Sequence, residues 1–177
     1  MEKIVQTQDP VLRKIAKEVG PAEIQSKEIK EIIKKMKSAL LSQHDGVALA
    51  APQIGVSKRI FIVSGKVIDL LKGVDVEHGE YKKREDEIYI NPKITKLSKD
   101  KAMMEEGCLS ARYLYGKIER SKKANIEALD ENGKLFKKGA SGLMAQIFQH
   151  ETDHLDGKLF IDRAVDVVDL PPKEDDN

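Results

Sequence analysis

The sequence predicts an α+β fold: several short antiparallel strands packed around a central metal-binding helix that carries a His-Glu-x-x-His pattern, with an amphipathic helix on its N-terminal side. Three observations lead there. Apolar residues recur at helical spacing between Ser26 and Ser42. The middle of the chain is broken into short β-branched and aromatic runs. From Ser141 to Leu155 the helical period returns, now with two histidines four residues apart.

Each element has its own signal. In the first helix Ile29, Ile32, Ile33, Met36 and Leu40 form one stripe between lysines and glutamates, which marks an apolar face against a solvated basic one. Gly46 to Gly55 follows (GVALAAPQIG). Its proline and bounding glycines argue for a loop or extended segment despite the alanines. Arg59 to Ser64 (RIFIVS) and Glu87 to Ile90 (EIYI) read as strands, and the polar stretch from Gly65 to Asp86 between them as an exposed excursion with a short helix at Val67 to Leu71. Further short strands are expected at Ile94 to Leu97, Lys117 to Ile118, Ala124 to Leu129 and Leu135 to Lys138. Asn132-Gly133 is the strongest hairpin signal in the chain. Ser141 is placed to cap the second helix and Gly157 to stop it.

A chain of 177 residues can bury one core, and no change in composition marks a second, so residues 1–165 are expected to form one catalytic domain and residues 166–177 a short acidic, flexible tail. The 31 basic and 30 acidic side chains are interspersed and nearly cancel. That balance gives no case for nucleic acid or an anionic membrane as the main ligand. Charged residues break every apolar run between Met1 and Pro21 before it reaches signal-peptide length, and no run of about 18 apolar residues exists, so the expected location is the cytoplasm.

His150-Glu151-Thr152-Asp153-His154 lies within the second helix. Positions i and i+4 stack on one helix face, so both imidazoles can meet one ion, while Glu151 stands beside it where a carboxylate can hold and deprotonate water. Two ligands do not complete a site. Asp162 and Asp166 lie downstream. Upstream, the only cysteine, Cys108, stands in EEGCLS between two predicted strand regions; alone it is a small buried hydrophobe, a ligand or a nucleophile. His44 and His78 lie in polar segments without a partner pattern and read as surface residues.

Three ordered segments, Gly46-Val47-Ala48-Leu49-Ala50-Ala51-Pro52-Gln53, Glu106-Gly107-Cys108-Leu109-Ser110 and Gln149-His150-Glu151-Thr152-Asp153-His154, resemble the three motifs of peptide deformylases. Asp9-Pro10-Val11-Leu12-Arg13, Ile90-Asn91-Pro92 and Asp156-Gly157-Lys158-Leu159-Phe160 extend the resemblance over about Lys3 to Arg163. It implies a metal-dependent hydrolase that removes the N-formyl group from the N-terminal methionine of new polypeptides, releasing formate by metal-activated water. It assigns Cys108, His150 and His154 to the metal and Glu151 to general acid/base work. Gln53 and the backbone N–H of Leu109 become the oxyanion donors. Val47, Ala48, Met104, Glu106, Gly107, Leu143 and Ile147 become the substrate pocket. The implied ion is ferrous iron, with zinc, nickel or cobalt able to fill the same site. The implied partners are formyl-methionyl nascent peptides and, transiently, the ribosome.

The chain departs from the family pattern in three places. Ala48 stands where glycine is usual, Ala111-Arg112-Tyr113 where an apolar residue and proline follow the second motif, and Gln146 where an apolar residue is commoner. A short acidic end also replaces the longer C-terminal helix through which the family contacts the ribosome. None of these removes an assigned ligand or the base. Two alternatives keep part of the site: an amide or peptide hydrolase of different specificity, and a non-catalytic relative that holds metal or a nascent chain.

Overall fold

A computed structural model of the chain describes residues 3–73 and 84–171. The order of elements is α1 (Lys27–Leu41), β1 (Ala48–Ala50), β2 (Ile60–Val63), α2 (Gly65–Leu71), β3 (Glu87–Leu97), β4 (Lys101–Cys108), β5 (Ala111–Ser121), β6 (Lys123–Leu129), β7 (Leu135–Ser141), α3 (Gly142–Leu155) and β8 (Val165–Asp169), with 3-10 turns at Pro10–Arg13, Ala51–Ile54 and Phe160–Asp162. The fold is thus mixed α and β, and among the described residues the pairings between these strands are all antiparallel. One sheet runs β1-β2-β3-β6-β7 and the other β4-β5-β8.

The continuous apolar runs of β2 and β3 follow from a sheet buried on both faces. Phe61, Val63 and Tyr89 point to a core shared with Ile147 and Phe148 of α3, whereas Ile60, Ile62, Ile88 and Ile90 point to a core shared with Ile29, Ile32, Ile33 and Met36 of α1. The α3 side is aromatic: Phe61 stacks on Tyr89 at 4.5 Å between centroids, and Phe148 leans on Tyr89 at 5.5 Å. The fully buried Tyr89 keeps its phenol satisfied by donating to Glu87 at 2.6 Å. Burial and that carboxylate hold the phenol well above its ordinary value.

Several local expectations change. The two short strands at 87–90 and 94–97 are one strand, β3, which passes Pro92 through a register shift with Asn91 at φ +50°. The pair Lys117-Ile118 is the middle of the eleven-residue β5, and β4 beside it was not anticipated. Their outward faces carry Lys101, Glu105, Lys117 and Glu119, so no apolar run announces a strand. Cys108 is therefore the last residue of β4 rather than a link between strands. Gly46–Gly55 divides into strand β1 and a 3-10 turn. The short helix begins two residues earlier, at Gly65; His78 and the rest of the excursion from 74 to 83 lie outside the described residues.

The β6–β7 hairpin turns through Asp130–Lys134, a five-residue loop in which the Asp130 carboxylate accepts from the N–H groups of Asn132 and Lys134 and Gly133 takes φ +79°. Ser141 ends β7 in extended backbone before α3 and makes no side-chain cap. Residues 166–169, expected to start the tail, belong to β8. Val165, Val167 and Val168 suit a strand, and β8 pairs with β5 at Leu114, Tyr115 and Lys117.

Candidate metal centre and substrate cavity

Three parts of the chain converge on one spot: the β1–turn segment, the β4–β5 connection and α3. Helix α3 is fixed against β5 by Gln149, whose amide donates to the Ser121 and Ala145 carbonyls and accepts from the Ser121 N–H at 3.0 Å. Its end is set by Gly157 at φ +73°, where the Gly157 N–H bonds to His154 O and the Lys158 N–H to Asp153 O.

Within this frame the ligand atoms of Cys108, His150 and His154 lie within 4.8 Å of one another. Cys108 Sγ is 3.2 Å from His154 Nε2. Bond lengths of about 2.0–2.3 Å around a tetrahedral ion put neighbouring ligand atoms about 3.3–3.6 Å apart, so the cluster has the right span for one small cation. His150 donates from Nδ1 to the Glu106 carboxylate at 2.8 Å, which leaves Nε2 free to act as a ligand. His154 Nδ1 and Glu151 Oε2 are both buried without a hydrogen-bond partner. Such orphaned polar atoms are rare, and here they border a nitrogen–sulfur donor set.

The electrostatics agree. Burial alone would raise the Cys108 thiol, but the charge of His154 and hydrogen bonds from both imidazoles outweigh it and hold the thiol well below its ordinary value, in the thiolate form that binds metals. Burial pushes Glu151 up to about 7, so this carboxyl is poised to gain or lose a proton near neutrality. Glu106 goes the other way: burial would raise it, yet hydrogen bonds from His150 and Arg120 hold it down at about 2.

Arg120, 3% exposed, grips both oxygens of Glu106 at 2.8 and 3.0 Å and donates to Asp153 at 2.6 Å. Arg163 meets the same Asp153 oxygen at 2.7 Å. Asp153 thus orients no histidine directly. Glu106, expected mainly as a pocket wall, is the partner that fixes His150.

A cavity of about 260 Å³ opens beside the cluster. Of the expected pocket residues Val47, Ala48, Glu106, Gly107, Leu143 and Ile147 line it, together with Gln53, Cys108, Leu109, His150 and Glu151. Met104 does not, although on β4 it shares a face with Glu106, two residues further on. Gln53 is held by its Oε1, which accepts from the Ala50 N–H at 2.8 Å, while its Nε2 donates to Ser110 Oγ at 3.2 Å and lies 3.6 Å from Cys108 Sγ.

Two residues that sequence reasoning passed over shape this wall. Gln6 donates to Leu109 O at 3.1 Å and accepts from the Arg112 N–H at 3.3 Å, so the N-terminal segment braces the loop that carries Leu109. Tyr115 covers Gly107 across the β4–β5 pair, and a Cβ on that glycine would come within 2.8 Å of the ring. Gln146, noted as a departure, donates to Glu105 O at 2.8 Å and pins α3 to β4.

The family model for polypeptide deformylase matches residues 1–169. Among relatives, peptide deformylase 1A (chloroplastic/mitochondrial) of Arabidopsis thaliana is 37% identical over 98% of this chain and 68% of its own length. The peptide deformylase of Fusobacterium nucleatum is 40% identical over 91% of this chain and 82% of its own. A Met-Ala-Ser-bound crystal structure of a class I type b peptide deformylase from Acinetobacter baumannii superposes with a TM-score of 0.77 at 29% identity, covering 90% of this chain and 96% of that one.

Proposed function

The chain belongs to the polypeptide deformylase family, enzymes that remove the formyl group from nascent polypeptides, and we propose that it does so with Cys108, His150 and His154 holding one divalent ion and Glu151 moving the protons. The carrying observation is the Cys108–His150–His154 cluster, within 4.8 Å, beside a buried Glu151 oxygen that has no partner. A divalent ion in such a site supplies Lewis acidity and makes water nucleophilic near neutral pH. Ferrous iron is the proposed native ion, with zinc, nickel or cobalt as substitutes; a thiolate with two imidazoles suits all of them.

The remaining work falls to side chains. Glu151 accepts a proton from the attacking water and returns it to the leaving amine. The Gln53 side-chain amide and the Leu109 backbone N–H meet the charge that develops on the formyl oxygen. The Ala50–Gln53 bond fixes which end of that amide faces Cys108, so the donor is in place before substrate arrives. Val47, Leu143 and Ile147 supply an apolar wall for the methionine side chain. The cytoplasm is proposed as the chain's place of action, with any ribosome contact transient. Among the described residues no helix is long and apolar enough to cross a membrane.

Protein purified without oxygen should release formate from a formyl-methionyl peptide. Glu151→Ala should lose that activity by at least about 10²-fold while retaining metal, and Cys108→Ser should lose metal. Metal-loaded protein that releases no formate would overturn the reading. Acetyl-methionyl and internal peptides in the same assay separate it from a general amide hydrolase.

A further inference from the structure

Arg112 occupies one of the positions where the chain departs from the family pattern, and the structure gives it a definite place. From the start of β5 its guanidinium reaches over to the segment between α1 and β1, bonding Asp45 at 2.8 Å and the side chain of Gln43. Asp45 and Arg112 both line the cavity, as do Val47 and Ala48 on the first wall and Tyr113, Leu114 and Tyr115 on the second. The pair therefore joins the two walls. It is anchored at the backbone as well, because the Arg112 N–H donates to Gln6. The next residue, Tyr113, sits at φ +66°, a conformation costly for an aromatic residue, and its half-exposed ring borders the same opening.

The cavity has a buried end and an open end. Glu151, which lines the cavity, is 4% exposed, whereas the Asp45 side chain is 57% exposed. On the reading given above, the formyl group must reach the buried end. The methionine side chain then lies along Val47, Leu143 and Ile147, and whatever follows it leaves past Asp45, Arg112 and Tyr113. We propose that the Arg112–Asp45 pair is a strap across the open end of the cavity that sets the size of the residue accepted after the formyl-methionine, making Arg112 and Asp45 specificity-determining residues for that reaction.

The test measures kcat and KM for formyl-Met-Ala-Ser and formyl-Met-Trp-Ser with metal-loaded wild type, Arg112→Ala, Asp45→Ala and the charge-swapped double variant Asp45→Arg/Arg112→Asp. Wild type should prefer alanine. Each single variant should lower that preference about fivefold, through KM for the tryptophan peptide rather than through kcat, and the swap should restore it. Preference within about twofold of wild type in both single variants would overturn the strap. Loss that the swap does not restore would assign the effect to side-chain bulk and overturn the ion pair as its basis. Wild type that binds metal but releases no formate from either peptide would instead remove the deformylase reading, and the strap with it.

Discussion

At Arg120 one guanidinium ties together two carboxylates and, through Glu106, the proposed ligand His150. It holds Glu106 in a two-pronged pair and also meets Asp153, and Glu106 in turn accepts from His150. A pair buried this deeply contributes little net stability against an apolar replacement, but removing one partner strands the other. Arg120→Ala is expected to cost about 3–5 kcal/mol in urea denaturation. It should also weaken metal binding about 10- to 100-fold in chelator competition, because Glu106 no longer fixes the His150 ring. Arg120→Lys should fall between, since an ammonium cannot match the two-oxygen fork. Arg163, more than half exposed, touches only the outer end of the chain of charges. Its replacement by alanine should be nearly silent in both measurements.

Among the elements, α3 carries His150, Glu151 and His154 of the proposed site, and its C-terminal stop shows how a single backbone position fixes it. Gly157 takes φ +73°, and a Cβ there would meet Arg13 O at 2.8 Å. Gly157→Ala therefore combines left-handed strain with a backbone clash and is expected to destabilise by roughly 1–3 kcal/mol, seen as a lower melting temperature. Gly133, at φ +79° in the β6–β7 loop, has only the flexible Ile24 side chain near, at 3.6 Å. Gly133→Ala should cost less, about 1 kcal/mol, because strain acts there without a clash. The contrast separates the two contributions. The glycine after α3 is plain in the sequence; its contact with Arg13 is not.

For the whole molecule, the buried charges make stability depend on pH. Glu106 is held at about 2 against an ordinary 4.5, so the folded state favours its ionised form more than the unfolded chain does. The resulting stabilisation is fully present above about pH 4.5 and is lost as pH falls through about 2. A shift of that size corresponds to about 3 kcal/mol. Urea denaturation of the metal-free protein at a series of acidic pH values should show this decline. In Glu106→Gln the slope over the same range should be shallower, whatever the variant's absolute stability.

The sequence by itself determined the family, the mixed α and β class, and those strands whose residues are apolar and β-branched, such as β2, the first half of β3, and β6. These signals are local: a run of neighbouring residues suffices to show which face is buried. It also brought together the residues of the proposed site, through motifs whose spacing is set within a few positions. Only the tertiary structure decided what surrounds them. The charged ribbon of β4 and β5, the seating of β8, and the links Gln6–Leu109 and His150–Glu106, 103 and 44 residues apart in the chain, have no local signature. The His150–Glu106 link exists because packing α3 against β4 takes both groups out of water together, where they must satisfy one another.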